Sequence, residues 1–84
     1  MDEKMLRTLV DAGALKKVQI VGSGALLYVE VGYGNKTEKV VTQRGSLRTW
    51  ASLDSVARWV RGLGLGKAEL DLAAWAPGQR GLKL

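Results

Sequence analysis

Four arginines and two tryptophans crowd the stretch QRGSLRTWASLDSVARWVRGLG, residues 43 to 64. Arg44 and Arg48 precede Trp50, and Arg58 and Arg61 bracket Trp59. A guanidinium grips phosphate or carboxylate through a two-pronged fork. An indole stacks on a nucleic-acid base or on a guanidinium. The spacing places Arg48 and Trp50 on one face of an extended segment, and Arg58 and Arg61 on the wet face of a helix. Such a surface suits nucleic acid or an acidic partner. The same residues also describe a solvated helix face with an arginine stem laid over tryptophan. Trp75 adds a third indole, which either lids the core or anchors a partner. The candidate binding set is therefore Arg44, Arg48, Trp50, Arg58, Arg61 and Trp75.

Catalysis finds little material. The chain has no histidine and no cysteine. That removes the commonest general base, the commonest zinc ligand, and any thiolate or disulfide. Ser46, Ser52 and Ser55 have no histidine to activate them. Glu69 and Asp71 share one strand face, but a carboxylate pair beside water is solubilising charge rather than an acid–base dyad. The glycines at 22 to 24 and 32 to 34 lie between strands, whereas a phosphate loop leads from a strand into a helix. GLGLG, residues 62 to 66, follows a helix and so meets the end that repels anions. No enzyme, metal or cofactor is expected.

Length and charge bound the rest. Eighty-four residues make one domain. So short a chain buries only roughly 60–65% of its unfolded surface, which leaves a narrow stability margin. Thirteen basic and eight acidic residues give a net charge of +5. That sign favours polyanions, or simply keeps a small domain soluble. No apolar run of about 18 residues is present to span a membrane. The mixed-charge start MDEKMLRTLV lacks the pattern of a secretory signal. A cytoplasmic address is expected, with a single domain over residues 1–76 and a flexible tail over 77–84.

The elements that must position the candidates follow from periodicity. Residues 2 to 12 read as a helix with Met5, Leu6, Leu9 and Val10 on its apolar stripe and Gly13 as its C-terminal stop. Residues 16–21, 25–31, 36–42 and 46–51 read as four successive strands, with turns at GSG and GYGN. Leu27, Val29 and Val31 are the expected core face of the second strand. Short hairpin connections predict an antiparallel sheet. A second helix starts near Ser52 or Asp54. On a wheel of about 100° per residue, Leu53, Val56, Trp59, Val60 and Leu63 share a dry face. Asp54, Arg58 and Arg61 lie opposite, with Asp54 and Arg58 spaced to pair. Residues 67 to 72 read as a last, half-buried strand. The expected fold is α+β, in the order α-β-β-β-β-α-β, with about five strands and both helices on one side. An exposed sheet edge also allows a homodimer.

Residues 42 to 78 resemble small plasmid and conjugative-element proteins of the ParC-like, partition-associated kind. The matching residues are Gln43-Arg44-Gly45, Arg48, Trp50, Leu53-Asp54, the helix end Leu63-Gly64, and Glu69-Leu70-Asp71. The upstream layout is also similar, with a helix ending in GAL, then KVQIVGSG and a strand into GYG. The resemblance implies a non-enzymatic accessory of plasmid partition or maintenance, working beside a ParA-type ATPase or another partition protein. It implies no catalytic residues. From the residues themselves, two other functions stay open: a small basic DNA- or RNA-binding regulator using the arginine surface, and a structural homodimer module.

Overall fold

The computed structural model describes residues 1–76. The tail expected over residues 77–84 lies outside the described residues. Two helices and four strands follow in the order α1 (Glu3–Asp11), β1 (Leu15–Gly24), β2 (Leu26–Tyr33), β3 (Lys36–Lys39), α2 (Leu53–Gly62) and β4 (Glu69–Trp75). The α+β class and the two helices agree with the periodicity. The sheet has four strands rather than five, in the order β3-β2-β1-β4.

Each helix begins and ends for a local reason. The Asp2 carboxylate accepts from the Met5 N–H at 2.9 Å and caps α1. Ser52 does the same for α2, accepting from the Ser55 N–H at 3.1 Å. Gly13 and Gly64 follow the two C-caps with φ of 65° and 97°, a conformation that stops a helix and suits glycine.

Three expectations about the sheet need correction. First, GSG is not the turn. β1 continues through Gly22 and Ser23 to Gly24, and Ser23 pairs with Leu26, so the reversal is the two-residue loop Gly24-Ala25. Second, SLRTWA is not a strand. Its ladder pairing is limited to the isolated bridges Val41↔Leu47 and Leu27↔Trp50. Its chain runs from the end of β3 toward α2 without a continuous ladder. Third, the sheet is mixed. β1 and β2, and β2 and β3, are antiparallel, but β4 lies parallel to β1. Parallel neighbours need a long crossover. Residues 40 to 68, with α2 among them, carry the chain from the β3 edge across the sheet to the far side of β1.

One core joins the layers. Leu6 of α1 and Val56, Val60 and Leu63 around α2 pack on Ile20, Leu27, Val29 and Val31, with Val40 beside them. Met5, expected on the α1 stripe, is 50% exposed. Of β4, Trp75 alone packs against the core, and it is only partly buried. Leu70 is 49% and Leu72 40% exposed, where a half-buried strand was expected. β4 is an edge strand whose two faces are both open. At the other edge, the Met1 backbone pairs with residues 39 to 41 and partly covers β3. Among the described residues no helix is long and apolar enough to cross a membrane.

Candidate functional site

The Asp2 cap fixes the first turn of α1 and so aims Glu3 toward the residues between β3 and α2. Three donors converge on its carboxylate. Arg48 Nη1 donates to Oε1 at 2.9 Å, Trp59 Nε1 to Oε1 at 3.1 Å, and Arg7 Nε to Oε2 at 3.0 Å. The Trp59 indole N–H contributes most, then Arg48, then Arg7, and together they hold the Glu3 carboxyl at about 2. The Arg48 guanidinium lies 5.0 Å from the Trp50 ring and 4.9 Å from the Trp59 ring. The two indoles are themselves 4.9 Å apart and tilted by 48°. The Arg48 guanidinium thus sits against the Trp50–Trp59 pair, with its Nη1 bound to an internal carboxylate and about a third of the side chain, 34%, still exposed.

The other candidates lie elsewhere. Arg58 donates to Asp54 at 3.0 Å, the pair that their spacing predicts, with both side chains in water. Arg44 is exposed in the turn from Thr42 to Ser46, which is closed by a backbone bond from Thr42 N–H to the Ser46 carbonyl at 2.7 Å. Arg61 is exposed on α2. Among the described residues, no hydrogen bond or cation–π contact joins Arg44, Arg58 or Arg61 to the Arg48–Trp50 pair. Trp75 closes β4 instead of following it, and packs over Gly22. A Cβ on Gly22 would stand 2.3 Å from the Trp75 Cβ, so the strand depends on the missing side chain. The Trp75 indole N–H is buried without an acceptor among the described residues.

A second region carries residues that the spacing did not single out. Between α2 and β4 runs a trough of about 310 Å³ floored by Ile20, Val60, Leu65 and Leu70. Arg61 and Lys67 both belong to its lining. Past Leu65 and Gly66 it opens into a shallow cleft that Lys16 and Lys17 also border. Lys17 is paired with Glu69 at 3.6 Å. Among the described residues, Arg61, Lys67 and Lys16 have no ion-pair partner. The doublet Lys16-Lys17 and the lone Lys67 are visible in the sequence, but some fifty residues separate them. Only the parallel placement of β4 beside β1 brings them together.

Chemically, neither region holds a nucleophile beside a base. Among the described residues no group of three or more metal-ligating side chains gathers. The arrangement can bind, through exposed apolar side chains flanked by unpaired cations. No protein-family model, curated protein or solved structure matches the chain.

Proposed function

We propose that the chain is a non-enzymatic accessory protein of plasmid partition or maintenance, acting through protein–protein contacts. The observation that carries the interaction half of this reading is β4. An edge strand with Leu70 and Leu72 about half exposed to water is a surface that a partner can cover at a net gain. The partition half rests on the resemblance of residues 42 to 78 to ParC-like proteins. The partners it implies are a ParA-type ATPase or another partition protein. Recovery of such an ATPase with the tagged chain from cells tests the contact. Deletion of the coding sequence from the element that carries it tests the role. More plasmid-free cells per generation without selection are expected, and an unchanged rate overturns the reading.

A basic DNA- or RNA-binding regulator is the second reading, favoured by the net charge of +5 and the unpaired Arg61, Lys67 and Lys16. It has lost Arg48 and Trp50 to the Glu3 cluster and part of Arg58 to Asp54. Anisotropy titrations with random duplex and single-stranded DNA at about 50 and 200 mM salt separate the two, because phosphate contacts weaken steeply with salt. Tight binding that collapses at the higher salt supports the regulator. Absence of binding at low salt removes it.

A further inference from the structure

The trough between α2 and β4 has a mostly apolar lining that includes Arg61 and Lys67, and among the described residues it stays open. Its floor is core-like: Ile20 and Val60 are 4% and 5% exposed. Leu70, in the same lining, is 49% exposed. Of the acids on α2 and β4, Asp54 is paired with Arg58, Glu69 with Lys17, and Asp71 accepts from the Ala73 N–H. Glu3 is held by Trp59, Arg48 and Arg7. Arg61 and Lys67 thus line the same apolar trough, and among the described residues neither has a carboxylate partner.

We propose that this trough is a docking groove for an acidic amphipathic helix of a partner protein, with the helix's apolar side chains over Ile20, Leu65 and Leu70 and its carboxylates beside Arg61 and Lys67. The proposal rests on the reading of the chain as a protein–protein module and names the chemistry of the partner. A helix laid in a groove uses apolar anchors at helical spacing, and α2 and the sheet supply a wall and a floor for it. Carboxylates on the same helix answer the two unpaired cations, which is the charge complementarity that selects this occupant. Other occupants fit less well. A second copy pairing along the β4 edge bonds backbone to backbone in the plane of the sheet and leaves the trough between α2 and β4 unfilled. Nucleic acid gains from the cations but nothing from Leu70. A small ligand gains most from an enclosed pocket, and this trough is open along β4.

The test uses the intact chain, labelled with ¹⁵N, and three probes. The first is a synthetic peptide with leucines at helical spacing and glutamates between them. The second has glutamine at every glutamate. The third is a short random DNA duplex. Amide shifts confined to the second half of α2, the loop to Lys67, and Leu70 are expected for the first peptide. The glutamine peptide is expected to bind about tenfold or more weakly. Arg61→Glu with Lys67→Glu is expected to do the same to the first peptide, and Leu70→Asp alone to abolish its binding. All three residues are solvent-exposed, so both variants keep the fold, as melting curves check. Equal binding of the two peptides, shifts in other elements, or no binding overturns the proposal. So do duplex-induced shifts at these amides in place of peptide-induced ones.

Plasmid loss separates this proposal from the partition reading. Loss in cells carrying Arg61→Glu/Lys67→Glu, equal to that of the deletion, supports both. Loss in the deletion alone leaves the partition role standing and removes the groove from it. No loss in the deletion defeats the role, and the peptide titration then judges the groove alone.

Discussion

The Glu3 cluster and the α2–β4 trough are made of similar parts, an arginine and apolar bulk beside α2, and they end in opposite states. In the cluster, Arg48 has a carboxylate at 2.9 Å and two mutually packed indoles beside it. In the trough, Arg61 has no carboxylate partner among the described residues and shares the lining with another cation, Lys67, and with apolar side chains. The difference is one of completion. Where the chain supplies the counter-charge and the stacking faces, an arginine becomes part of the structure, joining α1, the segment after β3, and α2. Where it supplies only half of the interaction, the surface is left for something else. An arginine beside a tryptophan is thus a poor sign of a binding site until its carboxylate is sought, and the carboxylate here is 45 residues away.

The contrast can be broken most forcefully at Trp59. Its ring packs on Trp50 and carries Arg48, and its N–H is bound to Glu3. Trp59→Ala should cost about 3 kcal/mol, a large share of the stability of so small a domain, as read by urea denaturation. A Trp59→Ala protein as stable as the wild type would mean that the cluster is a surface decoration. At the trough end, Gly22→Ala drives a methyl into the Trp75 side chain and should cost about 1–3 kcal/mol. Trp75 must then move, so the emission spectrum should change with the melting curve. Stability without a shift would show that β4 does not rest on Gly22.

The acid test is smaller and sharpens the role of Glu3. Its folded-state pKa, about 2, lies below the ordinary 4.5. The unfolded state therefore binds the proton more readily. The associated stability is fully present above pH 4.5 and is lost as the pH falls through the folded value. With the side chain 36% exposed, solvent screening leaves about 1–2 kcal/mol of this. Urea midpoints should fall between pH 4.5 and 2, and Glu3→Gln should flatten that fall. An equal fall in the variant would assign the acid sensitivity to other carboxylates. Least of all should change with Arg58→Ala plus Arg61→Ala. The lost Asp54–Arg58 pair costs a few tenths of a kcal/mol, and the melting temperature should scarcely move. Unfolding of that double variant would show that α2 faces the core by a different side.

Much of the local structure was legible without coordinates. Both helices, their glycine stops, the dry face of Val56, Val60 and Leu63, and the inward row Leu27, Val29 and Val31 follow from periodicity and capping. The misreadings share a cause. Of the two glycines in GSG, Gly22 stays in the strand because the Trp75 side chain fills the space above it, while Gly24, with φ of 60°, makes the turn. SLRTWA alternates like a strand, yet its tryptophan is bound to α2 and its arginine to α1. KAELDL alternates like a half-buried strand, but alternation says which residues share a face and not whether anything covers it. Of the candidate site residues, Arg48 and Trp50 were correctly paired, while the trough cations Lys16 and Lys67 carried no local signal.

The amino-acid order by itself determined the α+β class, the helix limits, the inward faces, the positive charge and the absence of histidine and cysteine. These depend on residue type and on spacing within a few turns or pleats. Strand direction, the exposure of β4, the capture of Arg48 by Glu3, and the meeting of Arg61 with Lys67 were decided only by the tertiary structure. Each depends on where a crossover sets one element beside another, and a pattern along the chain carries no record of that distance.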